Sequence, residues 1–405
     1  MRTVKPSPHL QGEVLLPGDK SISHRVAILD SLSQGESTIE NFAPGRDCWR
    51  TITCLRALGV PIQTLKSQGT LSLSVSGRGR RGFREPRDAL YAGNSGTTMR
   101  LLSGLLSAQP FLSIITGDAS LRGRPMSRLI EPLRLMGAEI WGREQDSLAP
   151  LVIWGRALHG AEIPLTIPSA QIKSAILLAG LFAQGKTVLY QPVKSRDHTE
   201  RLLTTMGAKL DIDGDHLCLS PLTMPLSSVS LRVPGDLSSA AYFLVAGAAH
   251  PNARITMRAC GINPTRTGII DALVAMGAKI QIRNERMKAG EPLADIAVES
   301  SELRGIEIGG DIIPRIIDEL PILAVAACAA RGRTVIRGAG ELRVKESDRI
   351  AAILKELGKM GADIEELADG MIITGGKRLR GAKVDSHSDH RLAMSLAIAG
   401  LLATG

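Results

Sequence analysis

A short apolar-Gly unit recurs five times along this chain of 405 residues, and it restricts how the chain can fold. Each copy follows a stretch with apolar residues at helical spacing, such as 127–136, although Pro132 lies inside that one. Glycine at such a position takes the left-handed conformation that ends a helix. The copies are Leu58-Gly59-Val60, Met136-Gly137-Ala138, Met206-Gly207-Ala208, Met276-Gly277-Ala278 and Met360-Gly361-Ala362. Their spacing, roughly 70 to 85 residues, is too long for a solenoid and predicts repeated α/β units.

Each unit is predicted to contain a strand, a helix, a second strand, a second helix and one or two more strands. The turn sequence at 15–19 returns in similar form at 232–236, which indicates two halves that begin alike. A last unit opens at 385–391 and stops at Gly405 after one helix. We therefore expect this unit to be truncated and the natural chain to continue.

The composition is that of an ordinary globular protein, with 44% hydrophobic and 22% charged residues. The length allows two or three domains. No apolar run approaches the roughly 18 residues of a membrane span, and 1–16 lacks a secretory apolar segment, so we expect a cytoplasmic protein. The five cysteines show no C-x-x-C spacing, which predicts free and mostly buried thiols.

The charge balance indicates what kind of ligand to expect. A formal net charge of +9 favours anionic partners, whereas an aromatic content of 3% argues against a base-stacking surface for nucleic acid. Small phosphorylated or carboxylated substrates fit this composition better.

Polar residues gather at the predicted start of the first helix in each unit. They are Lys20, Ser21 and Arg25; Asn94 and Thr97; Ser169 and Gln171; Asp236 and Ser238; Asp318 and Glu319; and Asp389, His390 and Arg391. Helix starts attract anions, but Ser and Asp also cap helices without any ligand, and both interpretations stay open. Lys20 and Arg25 favour the first, because a cation opposes the helix dipole there.

A second polar cluster spans 343–349. Lys345 and Arg349 are four residues apart and Glu346 and Arg349 three, so a helix would place them on one face. A solvated ion-pair face is the alternative. Further cations suited to phosphate or carboxylate are Arg122, Arg124, Lys173 and Arg196.

The sequence gives little reason to expect a metal or a nucleotide cofactor. Asp385, His387, Asp389 and His390 lack a further well-spaced ligand group, and the adjacent Arg391 would repel a cation. There is no P-loop, and 77–79 lacks the strand–helix setting of a dinucleotide site.

Together these motifs resemble the 5-enolpyruvylshikimate-3-phosphate synthase family, with second-class features at 169–173 and 196–200. The matching pieces are Gly18-Asp19-Lys20-Ser21 with Arg25, Gly93-Asn94-Ser95-Gly96-Thr97 with Arg100, Arg124-Pro125-Met126, Ser169-Ala170-Gln171-Ile172-Lys173, Arg196-Asp197-His198-Thr199-Glu200, Asn263-Pro264-Thr265-Arg266, Asp318-Glu319, Lys345-Glu346-Ser347-Asp348-Arg349 and Asp389-His390-Arg391.

The resemblance implies an α/β fold of the two-domain enolpyruvyl transferase type, with three βαβαββ repeats in each domain. One domain would be 18–233, and the other 1–17 with 234–405. We expect a monomer that binds small anionic substrates, without a cofactor, metal, nucleic acid or membrane partner.

The resemblance also implies an activity in the shikimate pathway of aromatic amino-acid biosynthesis. A 3-phosphoshikimate 1-carboxyvinyltransferase moves the enolpyruvyl group of phosphoenolpyruvate to the 5-hydroxyl of shikimate 3-phosphate and releases phosphate. Asp318 would be the base towards the hydroxyl and Glu346 the proton donor to the methylene carbon. Shikimate 3-phosphate would contact Lys20, Ser21, Arg25, Ser169, Ala170, Gln171, Arg196, Asp318 and Lys345. Phosphoenolpyruvate would contact Lys20, Asn94, Gly96, Arg124, Gln171, Glu346, Arg349 and Arg391.

Two features bear on activity. Family members carry a further lysine near the C-terminus, and this chain ends before it. Glyphosate-tolerant second-class members have alanine where this chain has Gly96, so we expect glyphosate to inhibit.

Two other functions remain as alternatives. A UDP-N-acetylglucosamine enolpyruvyl transferase shares the fold but uses a cysteine in the loop matching 117–126, which has none here. A phosphate-binding module without catalysis would bind the same anions.

Overall fold

The computed structural model describes residues 3–66 and 69–404 and divides into two compact units. Unit 1 contains the described residues of Met1–Leu16, Gly235–Arg286 and Pro292–Gly405. Unit 2 contains those of Pro17–Pro234 and Met287–Glu291.

The described strands form four-stranded sheets of one recurring topology. In each, an edge strand is parallel to its neighbour, and that neighbour is antiparallel to the third strand. In spatial order the sheets are Leu10–Val14, Ala253–Gly261, Glu291–Glu299, Lys279–Lys288; Leu231–Arg232, Glu36–Glu40, Leu71–Ser76, Ile62–Lys66; Leu90–Tyr91, Leu112–Thr116, Leu148–Trp154, Glu139–Gly142; Glu162–Pro164, Thr187–Tyr190, His216–Leu219, Leu210–Asp213; and Glu307–Ile308, Gly332–Ile336, Gly370–Gly375, Asp363–Leu367. Leu226–Ser227 pairs with Ser33–Gln34 in a small parallel ribbon.

Two kinds of helix alternate with these strands. The first helix of each repeat is Lys20–Leu32, Gly96–Leu106, Ala170–Gly180, Leu237–Ala249, Leu320–Ala329 or His390–Leu402. The second helix is Arg46–Ala57, Ser127–Leu135, His198–Thr205, Gly268–Ala275 or Arg349–Lys359. Shorter helical segments are Ala119–Arg122, Arg143–Asp146, Gly310–Ile312, Ile313–Ile316 and Gly340–Val344.

The first helices form the interior of each unit. Leu320–Ala329 is apolar on all sides and buried along nearly its whole length, as expected for a core helix. In unit 2, helices Gly96–Leu106 and Ala170–Gly180 approach so closely that a Cβ on Gly104 would lie 2.1 Å from the carbonyl oxygen of Ala175. Each unit has its own hydrophobic core. The polar starts of these helices are therefore fixed by rigid packing.

The recurring glycines confirm the repeat prediction. Each follows the end of a second helix and precedes a strand. Their φ angles lie in the left-handed region: Gly59 +88°, Gly137 +87°, Gly207 +89°, Gly277 +95° and Gly361 +84°. The predicted helix at 127–136 is also present as Ser127–Leu135 and runs through Pro132.

The predicted helical face at 345–349 is wrong. The helix begins only at Arg349, because the Asp348 side chain accepts a hydrogen bond from Ala351 N at 3.1 Å and so caps it. An N-cap residue has a non-helical backbone, so Lys345 and Glu346 precede the helix.

All five cysteines lie in the described part of the chain and are thiols outside any disulfide, as predicted, and Cys218 alone among them is only partly buried. Among the described helices, none has both the length and the apolar character needed to cross a membrane.

Candidate active site

Lys20 is the first residue of its helix in unit 2. The carboxylate of Asp19 caps this helix by accepting a hydrogen bond from Ile22 N at 2.9 Å. The Lys20 ammonium donates to Asp47, whose charge offsets the unfavourable position of a cation at a helix start. Ser21, the next residue, is partly buried. The side chain of Lys20 remains 40% exposed and so accessible to a ligand.

Arg25 lies one turn further along, buried among three helices. Its Nε donates to Thr199 Oγ1 at 2.7 Å, and its Nη2 donates to Ser174 Oγ at 2.8 Å and to the Ala170 carbonyl at 3.3 Å. Its Nη1 donates to the Ser21 carbonyl at 3.0 Å. Burial lowers the pKa of Arg25 to about 10, and the charge of Glu200 partly opposes that shift. Arg25 thus remains a cation at neutral pH and joins the helix starts that carry Ser21 and Ala170.

Asn94 orients Arg124. Its Oδ1 accepts a hydrogen bond from Arg124 Nη2 at 2.6 Å, while its Nδ2 donates to both carboxylate oxygens of Asp118, at 2.9 and 3.1 Å. The Asn94 amide therefore lies between the Arg124 guanidinium and the Asp118 carboxylate and bonds to both.

Gln171 links two helix starts. Its Oε1 accepts from Arg100 Nη1 at 3.0 Å, and its Nε2 donates to Thr97 Oγ1 at 3.0 Å. Gly96 is buried at the start of the helix that carries Thr97. A Cβ on Gly96 would lie 2.5 Å from Arg100 Nη1 and 3.4 Å from Arg124 Nη1. Position 96 therefore controls how closely these guanidinium groups approach the helix start.

Ser169 caps its helix, in agreement with the interpretation that Ser and Asp residues at helix starts act as caps without any ligand. Its Oγ accepts from Ile172 N at 3.4 Å. Lys173 is fully buried, with its Nζ 2.5 Å from Glu200 Oε1 and 3.1 Å from Gln191 Oε1, so it stabilises the interior. Arg196 is only partly buried, and its charge contributes to lowering the pKa of Arg25.

Arg349 is the centre of a carboxylate cluster in unit 1. Its Nε lies 2.7 Å from Asp389 Oδ2, its Nη2 lies 2.6 Å from Glu346 Oε2, and its Nη1 lies 3.6 Å from Asp318 Oδ1. The guanidinium is 1% exposed. The structure therefore brings the predicted base, Asp318, and the predicted acid, Glu346, to one cation.

Arg391 meets Asp318 from the start of helix His390–Leu402. Its Nη2 lies 3.4 Å from Asp318 Oδ2, and its Nη1 donates to the Asp318 carbonyl at 2.9 Å. Burial alone would lower the pKa of Arg391, but the charge of Asp318 and those of neighbouring acidic groups, Glu319 and Asp236 among them, together raise the pKa. Burial lowers the pKa of Lys345, with Asp318 opposing the shift.

A network beside this cluster was not predicted from the sequence. Ser238 donates a hydrogen bond to Glu319 and accepts one from Arg266, and Glu319 Oε1 also lies 3.5 Å from Arg391 Nη1. Arg266 belongs to the motif Asn263-Pro264-Thr265-Arg266. Nothing in the sequence indicated that it contacts Ser238, at a helix start 28 residues away. Asp47, the partner of Lys20, was missed for the same reason.

The histidine-rich segment 385–390 has a local structural role. His387 Nε2 lies 2.9 Å from Glu356 Oε1, and Asp385 N donates to Glu356 Oε2 at 2.9 Å. Burial would raise the pKa of Glu356, but its hydrogen bonds to Lys359, Asp385 and His387 lower it to about 2. Within 3–66 and 69–404, no group of three or more His, Cys, Asp or Glu side chains is placed to hold a metal ion.

The fold and these clusters define a class of protein: a repeat-built α/β protein whose helix starts present cations and carboxylates suited to small anions. The model of the family described as EPSP synthase (3-phosphoshikimate 1-carboxyvinyltransferase) matches residues 4–405. The chain belongs to this family.

Relatives and solved structures agree with the family match. The 3-phosphoshikimate 1-carboxyvinyltransferases of Gloeobacter violaceus and Herpetosiphon aurantiacus are 53% and 52% identical to this chain, and each alignment covers 100% of this chain and 93% of the relative. A solved EPSP synthase from Acinetobacter baumannii is 43% identical, with a TM-score of 0.88, and the match covers 100% of this chain and 92% of that one. The predicted enolpyruvyl transferase fold is confirmed.

Proposed function

We propose that this chain transfers the enolpyruvyl group of phosphoenolpyruvate to the 5-hydroxyl of shikimate 3-phosphate and releases phosphate. The observation that carries the proposal is the cluster around Arg349, where a guanidinium, Asp318 and Glu346 meet. The reaction needs that combination, namely a base, an acid and a cation for an anionic substrate. Membership of the family supports the same activity.

The first step forms a tetrahedral intermediate. Asp318 takes the proton of the 5-hydroxyl group as the oxygen of that hydroxyl bonds to C2 of phosphoenolpyruvate. Glu346 gives a proton to C3, which becomes a methyl group. In the second step Glu346 takes back a proton from that methyl group. The C2–O bond to phosphate then breaks, phosphate leaves with the proton held by Asp318, and the enol ether remains.

Glu346 has to be protonated before it can act as the acid, yet its carboxylate is paired with Arg349 at 2.6 Å. An ion pair favours the charged carboxylate. We infer that phosphoenolpyruvate, by bringing its own anionic groups to Arg349, replaces Glu346 as the partner of the guanidinium. The freed carboxylate can then take up a proton.

The remaining cations bind the substrates. Arg124, Arg349 and Arg391 are assigned to phosphoenolpyruvate, with Asn94 and Gly96 shaping the approach of Arg124. Lys20 is assigned to both substrates. The residues assigned to shikimate 3-phosphate are Ser21, Arg25, Ser169, Ala170, Gln171, Arg196 and Lys345. Arg25 acts largely through position, because its hydrogen bonds to protein oxygens fix the helix starts.

The decisive experiment supplies phosphoenolpyruvate with one acceptor at a time and measures released phosphate and the coupled product. Release with shikimate 3-phosphate supports the proposal, and release only with UDP-N-acetylglucosamine supports the other transferase. Ligand binding without release under either condition supports a non-catalytic module. The exposed Asp363, paired with Lys377 at 3.2 Å, offers a control variant, Asp363→Asn, that should leave the rate unchanged.

The expectations of a monomer and of a cytoplasmic location stay predictions. Light scattering of the purified chain and fractionation of cells that express it test them separately.

A further inference from the structure

A basic loop in unit 2 has no part in the proposed reaction. The segment 77–82 reads Gly-Arg-Gly-Arg-Arg-Gly, and residues 78–82 line a shallow pocket of about 490 Å³. The other lining residues are Gln34, Thr223, Met224 and Pro225. Among the described residues that line the pocket there are three arginines and no carboxylate.

Backbone hydrogen bonds and close backbone contacts hold this loop in a compact turn. Arg78 N donates to the Ser31 carbonyl at 2.9 Å, and Gly79 N donates to the Ser33 carbonyl at 3.0 Å. Gly79 has a φ of +65°, and a Cβ on Gly82 would lie 2.2 Å from the Arg78 carbonyl oxygen. This compact turn therefore depends on glycine at both positions.

Two of the arginines are held by neutral groups. Arg78 Nε donates to the Gly59 carbonyl at 2.9 Å, and Arg80 Nη1 donates to the Leu222 carbonyl at 2.5 Å. The Arg80 guanidinium also stacks over the Phe182 ring, with Cζ 5.6 Å from the ring centroid. A carbonyl or a ring orients a guanidinium without neutralising it.

Some other arginines in this unit are paired with carboxylates. Arg134, for example, has its Nη1 2.7 Å from Asp146 Oδ2, so a carboxylate balances its charge. Arg81 lines the same pocket and is exposed. The pocket thus combines two oriented guanidinium groups with an exposed third.

We propose that this pocket binds a small polyanion carrying two or more phosphate groups, such as a diphosphate. Guanidinium groups match phosphate oxygens through paired N–H donors, and three of them exceed the charge of a single phosphate. Single-stranded nucleic acid is a poorer fit, because the described residues that line the pocket include no aromatic side chain on which a base could stack. The proposal does not depend on the enolpyruvyl transfer.

Met224 provides a local reporter, because its side chain is 73% exposed in the pocket. The experiment labels the methionine methyl groups with carbon-13 and titrates inorganic pyrophosphate at fixed ionic strength, with Met224→Leu assigning the signal. Met287 is also exposed, at 61%, and does not line the pocket, so its methyl signal is the internal control. A signal from Met224 separates this pocket from binding of pyrophosphate at the candidate active site.

We expect the Met224 signal to shift with saturation while the Met287 signal stays in place. Arg81→Ala should raise the half-saturating concentration by at least about tenfold, as loss of a charge-assisted hydrogen bond predicts. Arg143→Ala removes one exposed positive charge elsewhere in unit 2 and should leave that concentration unchanged.

The proposal is overturned if Met224 does not respond or if Arg81→Ala binds like the wild type. Equal weakening by Arg143→Ala would show general charge attraction instead of a site. A single-stranded oligonucleotide that shifts Met224 at lower concentration than pyrophosphate would replace the small polyanion with nucleic acid.

Discussion

Arg349 and Asp389 form an almost fully buried ion pair, with Nε 2.7 Å from Oδ2 and side-chain exposures of 1% and 0%. Burial alone would raise the pKa of Asp389, but the hydrogen bond and charge of Arg349 outweigh it and lower the pKa. The pair fixes the guanidinium that also meets Glu346 and Asp318. Asp389 therefore positions the proposed acid and base through Arg349.

We predict that Asp389→Asn lowers the free energy of unfolding by about 3 kcal/mol, since it leaves a buried guanidinium without its most buried charge partner. Urea unfolding at pH 7 measures the change. Asp363→Asn, which breaks an exposed pair with Lys377, should alter the same quantity by no more than about 0.5 kcal/mol. Equal changes in the free energy of unfolding for the two substitutions would show that the buried pair stabilises the fold no more than the exposed pair does.

Asp30 predicts a pH dependence of stability. Its side chain is fully buried, with Oδ1 accepting from Val229 N at 3.0 Å, and burial raises its pKa to about 7 despite that hydrogen bond. In the unfolded chain the value is about 4. Between these two pKa values the folded protein holds a proton on Asp30 that the unfolded chain has lost. The contribution of Asp30 to stability therefore falls as the pH rises from about 4 to 7.

Asp30→Asn imitates the protonated carboxyl group. We expect it to match the wild type in free energy of unfolding near pH 4.5 and to exceed it at pH 8 by roughly 2 to 4 kcal/mol. Urea unfolding across this range measures the difference. Asp211→Asn, at an exposed carboxylate, should follow the wild type at every pH. If the difference in free energy of unfolding between Asp30→Asn and the wild type did not change with pH, the raised pKa of Asp30 would be contradicted.

Gly96→Ala tests the space next to the guanidinium groups. The added methyl group would lie 2.5 Å from Arg100 Nη1, so this guanidinium has to shift, and it would contact Arg124 Nη1 at 3.4 Å. We expect the KM for phosphoenolpyruvate to rise and the inhibition constant of glyphosate to rise by about tenfold or more. Steady-state kinetics with and without glyphosate measure both constants.

Gly358→Ala is the matched control for that substitution, because a Cβ at position 358 meets open space. It should leave both constants unchanged. If the wild type is unaffected by millimolar glyphosate, the predicted sensitivity is wrong.

The sequence predicted the repeats because their signals are local. Glycine after a helix has a conformational reason that needs no tertiary contact, and the five glycines all show it. The polar residues were correctly placed at helix starts for the same reason. The helix that contains Arg349 was predicted to include Lys345 and Glu346, but it begins only at Arg349, where Asp348 caps it.

The contacts within the candidate site could not be predicted in the same way. Lys20 and Asp47 are 27 residues apart, and Arg349 and Asp389 are 40 apart, with no periodicity to connect them. The sequence also could not distinguish a buried structural cation, such as Lys173, from an accessible one. The roles assigned to individual site residues and the predicted domain boundaries stay predictions.

The most direct test of the mechanism follows deuterium from heavy water into the vinyl group of the product. Protonation of C3 by Glu346 and later loss of a proton from the same carbon place deuterium in that group. We predict incorporation by the wild type and a loss of incorporation rate of about 100-fold or more in Glu346→Gln, with binding of shikimate 3-phosphate retained. Product formed without deuterium, or wild-type incorporation by Glu346→Gln, would contradict the account.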